Sequence, residues 1–210
     1  MPFPQRFSAQ VNNVCLWLAL AFAFLAVTQI RGHEPGTPEE KHALLEFNAG
    51  LQNYFQIHRL ATEKLGQAFQ FKVADSGEDI VQREHVLARE ISELRQNAME
   101  GELFTPAVKA YFAERLDSAY RSNPLAISAS LACVSEIVEE KLNPNSVYPE
   151  DWGYNMMPPT LLLAITELPE DLEYQIVNRD MIIRDVDSNL VVDVMRNAIT
   201  FPLEGAQCDE

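Results

Sequence analysis

Residues 158–194 read PPTLLLAITELPEDLEYQIVNRDMIIRDVDSNLVVDV, and this stretch decides the fold class. Two prolines precede one apolar helical turn, and Pro169 ends it because proline cannot continue a helix. Three runs rich in β-prone residues follow, separated by polar turn residues at 178–180 and 187–189. This spacing predicts a short helix followed by a three-stranded antiparallel meander.

Apolar and polar residues alternate in the first and third runs, which predicts one apolar face on each strand. A three-stranded sheet is only marginally stable by itself, so we expect this face to rest on helices. The residues expected on it are Leu172, Tyr174, Ile176, Leu190, Val192 and Val194. The opposite face and the free edge of the sheet are expected to remain exposed.

The preceding residues, 38–142, predict an antiparallel bundle of about four helices. Capping residues followed by proline or by acidic residues mark the helix starts at Thr37, Ser76, Thr105 and Asn123. The first helix has an apolar stripe at three- and four-residue steps, formed by Leu44, Phe47, Leu51, Tyr54, His58, Ala61, Leu65 and Ala68. The chain is therefore predicted to belong to the α+β class.

Residues 1–30 have the pattern of a signal peptide, with Arg6 ahead of an uninterrupted apolar run at 14–27. The run is shorter than the roughly 20 residues that span a bilayer, and an uncleaved membrane anchor is the alternative. The remaining predicted segments are a linker at 31–37, an aromatic and proline-rich linker at 143–157, the short helix and meander at 158–200, and a flexible tail at 201–210.

The composition limits the class of partner. Hydrophobic residues make up 47% of the 210 residues and charged residues 22%, which is typical of a globular protein. The formal net charge of −15 argues against a nucleic-acid ligand, because neutralising phosphates requires clustered lysine and arginine. A partner is expected to be a protein or another envelope component, and to be neutral or basic.

Several segments resemble a family of exported bacterial proteins of uncharacterised function. They are YFQIHR at 54–59, RQNAMEGELFTP at 95–106, Tyr148-Pro149, PPTLL at 158–162 and the strand region at 168–194. The last region is also loosely similar to the carboxy-terminal hairpin of small periplasmic proteins of nickel and cobalt homeostasis. The resemblance implies a periplasmic location and implies no reaction.

Charged residues of the strand region are the candidate partner-binding residues, because charges on the exposed face of a small sheet can form the polar rim of an interface with a specific partner. They are Arg179, Asp180, Arg184, Asp185 and Asp193, to which we add the linker aromatics Tyr148 and Trp152. Charges at these positions would equally protect the sheet against edge-to-edge aggregation.

A divalent cation is the alternative ligand. Asp185, Asp187 and Asn189 have the alternating oxygens of a calcium loop, but Leu190 stands where such a loop needs glycine. His33 and His42 near the start of the mature chain are a second candidate pair. The favoured expectation is no cofactor, with His58 as a buried, hydrogen-bonded histidine.

The sequence contains no activated nucleophile that can be recognised. No serine lies in the glycine-flanked turn that marks a nucleophile elbow. Cys133 lies in an apolar run, and Cys208 lies in the polar tail. The favoured function is a non-catalytic, exported interaction module. A small periplasmic metal-handling protein or hydrolase remains the alternative.

Export predicts a processed amino terminus. Mass spectrometry of the protein from an envelope fraction should find a new terminus between Ala26 and His33. An intact Met1 in that fraction would contradict cleavage and would favour the uncleaved anchor.

Overall fold

A computed structural model of the chain describes residues 36–66, 76–132, 141–149, 152 and 157–202. Gly32–Glu210 forms one compact unit. The predictions that fall outside the described residues concern the signal segment 1–30, Ala68, His33, Cys133, Cys208 and the tail 203–210.

The described residues form five helices and three strands, in an α+β arrangement as predicted. The helices are α1 (Pro38–Leu65), α2 (Gly77–Leu94), α3 (Pro106–Ser122), α4 (Pro124–Ala132) and α5 (Pro159–Leu162). The strands are β1 (Leu172–Val177), β2 (Asp180–Asp185) and β3 (Leu190–Met195). Among the described helices, none is long and apolar enough to cross a membrane.

The predicted capping residues begin the helices. Thr37 accepts a hydrogen bond from the Glu40 amide, and the Glu40 carboxylate accepts one from the Thr37 amide. Ser76 and Asp79 form the same reciprocal pair at the start of α2. Thr105 accepts from the Val108 amide at the start of α3. Local sequence therefore determines where these helices begin.

The helices and the sheet share one apolar core. Phe47 of α1 packs on Phe112 of α3 with ring centroids 5.2 Å apart, and Phe112 lies 6.0 Å from the Tyr174 ring of β1. The predicted α1 stripe is buried at Phe47, Leu51, Tyr54 and Ala61. On α2 the buried apolar residues are Leu87, Ala88 and Ile91, and Leu94 in the last turn is 43% exposed.

The sheet has the strand order β1-β2-β3 and is antiparallel throughout. Asn178, in the turn between β1 and β2, adopts the left-handed conformation with φ of 57°. Asn189, which precedes β3, has φ of 54°. Asparagine tolerates this region better than most residues, so both predicted turns close without glycine.

A β-bulge in β3 changes which residues face the helices. Ile183 pairs with Asp193 and Arg184 with Val191, so Val192 is an extra residue in the ladder. Val192 packs in the main core, whereas Val194 packs in a second apolar cluster. The prediction that Val194 rests on the helices is therefore wrong, since one extra residue reverses the alternation beyond it.

The second apolar cluster covers the other face of the sheet. Its buried members are Leu142, Tyr148, Val177, Ile182, Val191 and Val194, with Trp152 packed against them. Residues 145–148 also pair with the edge of β3, where the Tyr148 amide donates to the Asn189 carbonyl at 2.8 Å. The predicted exposure of this face is therefore wrong, because the linker aromatics fold over it.

Gly50 lets α1 approach the loop between α2 and α3. A Cβ atom at this position would lie 3.2 Å from the Glu102 carbonyl oxygen and 3.4 Å from Leu103 Cγ. We expect Gly50→Val to lower the free energy of unfolding by about 1–3 kcal/mol in urea denaturation, because the helix and loop must separate. Ala49→Val, at the neighbouring exposed position, is the control and should cost about 0.5 kcal/mol or less. Equal effects would show that the close approach is unimportant.

Candidate functional site

Asp193 attaches the loop between α2 and α3 to the sheet. The bulge brings its fully buried carboxylate to the helix side. Oδ2 accepts hydrogen bonds from the Leu103 and Phe104 amides, both at 2.8 Å, and Oδ1 accepts one from the Gly101 amide at 2.9 Å. A carboxylate with several backbone donors retains its charge in the interior, so this group fixes the loop in one position.

Arg95, at the end of α2, holds the other end of this loop. Its side chain is only 4% exposed, and Nη2 donates to Glu102 at 2.8 Å and to the Val192 carbonyl at 3.0 Å. The guanidinium lies 5.1 Å from the centroid of the Tyr54 ring. The Asn145 side-chain amide donates to the Arg95 carbonyl at 2.8 Å. We call Arg95, Asn145 and Asp193 the loop anchor.

The anchored loop forms one wall of a cleft against α1. The cleft has a volume of about 430 Å³ and is open to solvent. Its lining residues are Asn53, Ile57, Glu93, Leu94, Arg95, Gln96, Asn97, Ala98 and Glu102. Two segments of the family resemblance, 54–59 and 95–106, therefore meet at this cleft.

A second group of polar residues joins α1 to the β2–β3 connection. The Tyr54 hydroxyl donates to Asp185 Oδ2 at 2.5 Å, and His58 Nε2 lies 3.5 Å from the same oxygen. His58 Nε2 is also 4.0 Å from Asp187 Oδ2. Asp185 Oδ1 accepts from the Ser188 amide at 2.9 Å. We call Tyr54, His58, Asp185, Asp187 and Ser188 the polar cluster.

Burial and neighbouring charge change the acidity of two members of the polar cluster. Burial, followed by the Asp185 charge, raises the pKa of Tyr54 well above its ordinary value, so Tyr54 remains a donor. Burial, followed by the carboxylates of Asp185 and Asp171, raises the pKa of Asp187. His58 Nε2 is buried and has no hydrogen-bond partner among the described residues. This predicted core histidine is therefore mostly buried but not hydrogen-bonded through Nε2.

Two of the three residues of the predicted calcium loop, Asp185 and Asn189, already accept hydrogen bonds from within the chain. Asp185 is occupied by Tyr54 and Ser188, and Asn189 Oδ1 accepts from Arg184 Nε at 2.7 Å. In the part of the chain that the structure describes, no group of three or more histidine, cysteine or acidic side chains is arranged to hold a metal ion. His42, the described member of the other predicted pair, contacts Glu46 one helical turn away at 3.0 Å.

Most of the predicted partner-binding residues are not on a free surface. Tyr148 is buried, and so are Arg184, Asp185 and Asp193, so the prediction of these three charged residues as an exposed rim is wrong. Arg184 is covered by Tyr148 of the second apolar cluster, whereas Asp185 and Asp193 face the helical side and accept hydrogen bonds from Tyr54 and from the 101–104 amides.

The other predicted residues make intramolecular contacts near the edge of the sheet. Arg179 is exposed but donates to the Ile199 and Phe201 carbonyls. Asp180 accepts from Arg196 and from the Asn197 amide. Trp152 packs edge-on against Tyr148, with ring centroids 5.8 Å apart. These contacts stabilise the fold and leave the cleft as the better candidate site.

Sequence reasoning missed the loop anchor and the cleft. Residues 95–106 attracted notice only through the resemblance, and no periodic pattern links Arg95 or Gly101 to a strand ninety residues later. The available signal was Arg95, which is followed by a connection that contains Gly101.

Comparisons of the chain with protein-family models, with curated proteins and with solved structures give no significant match. Function is therefore inferred from the chain's own residues.

Asp193 should be essential for stability. We expect Asp193→Asn to lower the free energy of unfolding by about 2–4 kcal/mol, because an amide cannot accept all the backbone hydrogen bonds that the carboxylate accepts. Urea denaturation measures the change. Asp117→Asn, on the half-exposed face of α3, is the control and should cost under about 1 kcal/mol. A similar small loss for Asp193→Asn would refute the anchoring role.

The raised pKa of Asp187 predicts a pH dependence of stability. A carboxylate whose pKa is higher in the folded state favours folding at low pH and loses that contribution as pH rises through the raised pKa. Asp187→Asn should therefore raise the melting temperature more at pH 7.5 than at pH 4, by about 1–3 °C. Glu114→Gln, at an exposed position of α3, controls for net charge. An increase confined to pH 4 would contradict this assignment.

Proposed function

We propose that the protein is exported to the bacterial envelope and acts there as a binding module, with the cleft beside α1 as its binding site. The main support for this proposal is that hydrogen bonds of Asp193 and Arg95 hold in place the loop that forms one wall of the cleft. A wall that is already ordered costs little conformational entropy when a ligand binds, which favours affinity.

The lining of the cleft suits recognition of another molecule. Leu94, the last residue of α2, lines the cleft and is 43% exposed. Apolar side chains at the rim of a polar cleft are typical of interaction sites, because they lose contact with water when a partner binds. The volume of about 430 Å³ lies in the range of ligand sites.

Export is supported by the sequence of residues 1–30 and by the resemblance to exported bacterial proteins. Under this proposal the partner is a protein or another envelope component, and the chain contacts a membrane only if residues 1–30 are retained. No cofactor is needed for this function.

A second candidate function, acid–base hydrolysis or metal handling, is favoured by one observation. His58 Nε2 is buried, has no hydrogen-bond partner among the described residues, and lies near Asp185 and Asp187. A histidine beside a carboxylate of raised pKa is a common setting for proton transfer. The polar cluster would perform this chemistry, with His58 as the base.

A capture experiment tests the binding proposal. The purified protein is used to retain components of an envelope extract, and Asn53→Arg places a bulky charge in the cleft. We expect this variant to lose at least about nine-tenths of the captured material, because the added side chain fills the site. Leu60→Arg, at a 51% exposed position of α1 outside the lining, is the matched control and should capture normally.

The melting temperatures of both variants should stay within about 3 °C of the wild type, since each position is exposed. Unchanged capture by Asn53→Arg would overturn the assignment of the cleft. Loss of capture by His58→Ala, with normal folding, would favour the polar cluster instead.

A further inference from the structure

We infer that His58 and Asp187 bind a divalent transition-metal ion, such as Zn²⁺, where α1 meets the β2–β3 connection. Neither residue lines the cleft, so the ion would be a ligand in addition to the proposed partner. In this role His58 is a metal ligand and not a base. Unused donor atoms, their spacing and the surrounding charge point to this class of ligand.

Both side chains have donor atoms that the chain itself does not use. His58 Nε2 is buried and has no hydrogen-bond partner among the described residues, and the same holds for the hydroxyl of the fully buried Ser188. The Asp187 carboxylate is 39% exposed and accepts no hydrogen bond from those residues. Asp185, by contrast, accepts from the Tyr54 hydroxyl and the Ser188 amide. Buried polar groups are normally satisfied, so these donor atoms are suited to a ligand.

The spacing of the donor atoms fits one ion. Zinc lies about 2.0–2.2 Å from a histidine nitrogen or a carboxylate oxygen, so two ligand atoms on one ion are at most about 4.2 Å apart. His58 Nε2 and Asp187 Oδ2 are 4.0 Å apart. A small rotation of the partly exposed Asp187 side chain would reach the tetrahedral separation of about 3.4 Å. With two protein ligands, water would occupy the remaining coordination positions on the exposed side.

The surrounding charge favours a cation. The Asp187 carboxylate is repelled by the carboxylates of Asp185 and Asp171. Among the described residues, His58 is the only basic side chain that lies within 4.0 Å of the Asp187 carboxylate. No lysine or arginine of the described chain therefore pairs with this carboxylate, and a bound cation would offset the repulsion.

The types of donor atom select a transition metal over calcium or magnesium. An imidazole nitrogen with a carboxylate oxygen suits Zn²⁺ or Ni²⁺, whereas Ca²⁺ and Mg²⁺ prefer oxygen ligands throughout. Asp185 Oδ2 lies 3.5 Å from His58 Nε2 and would remain hydrogen-bonded to Tyr54. Its negative charge would support the ion from outside the coordination shell.

Thermal denaturation of the purified protein with zinc chloride tests the site, with magnesium chloride as the comparison. Zinc should raise the melting temperature by about 3–6 °C when its free concentration is about ten times the Kd, because it binds the native state. Magnesium at the same concentration should raise it by less than about 1 °C. Equal stabilisation by both ions would show a general effect of cations on an acidic protein and would overturn the inference.

Matched variants locate the ion. Asp187→Asn should melt no lower than the wild type without metal, because it removes a repelled charge, yet it should lose most of the increase caused by zinc. His58→Gln should lose the increase as well. His42→Gln is the control, because His42 also lies beside a carboxylate, that of Glu46, at an exposed position of α1, and it should retain the full increase. A full increase in Asp187→Asn would overturn the inference.

The metal site and the proposed binding function can fail separately. Asn53→Arg should retain the increase caused by zinc, because Asn53 lies outside the polar cluster. If this variant abolishes capture and zinc does not stabilise the wild type, the cleft stands and the metal site is wrong. If zinc acts through His58 and Asp187 but capture by Asn53→Arg is unchanged, the metal site stands and the assignment of the cleft is wrong.

Discussion

The buried carboxylate of Asp193 is the interaction on which the rest of the structure depends. Burying a charge is costly unless several hydrogen bonds replace its hydration, and three amides of the 101–104 segment do so here. The same contact ties a loop between two helices to a strand ninety residues later in the chain. Arg95 adds a second tie to β3 through the Val192 carbonyl. These contacts hold the loop against β3, and the same loop forms one wall of the cleft.

The elements of the fold were largely predictable because their signals are local. Thr37, Ser76 and Thr105 begin helices as the capping pattern indicates, and the strands lie where β-prone runs alternate with turn residues. Which β3 residues face the helices was not predictable, since the bulge at Val192 leaves no clear mark in the sequence. That single extra residue placed Asp193 inside and Val194 on the opposite face.

The candidate site was less predictable than the fold, because its parts are distant in sequence. Charged strand residues suggested an exposed rim, but Arg184 is buried with Asn189 and Glu173, and Asp185 with Tyr54. Both faces of the sheet are covered, and the proposed binding cleft lies on the helical side of the molecule. There the polar cluster and the cleft adjoin through Tyr54, whose hydroxyl serves Asp185 and whose ring lies beside the Arg95 guanidinium. The binding proposal rests on a cleft that the described residues already form. The catalytic alternative rests on His58 and its neighbouring carboxylates.

Hydrogen exchange at the amides of Gly101, Leu103 and Phe104 tests the central claim most directly. Loop amides normally exchange through small local openings, but amides bound to a buried carboxylate exchange only when the surrounding structure opens. The account predicts that Leu103 and Phe104 exchange about as slowly as the amides of the central strand β2, and that exposed Gln96 exchanges rapidly. Exchange of Leu103 and Phe104 at the rate of Gln96 would contradict the anchoring of the loop by Asp193.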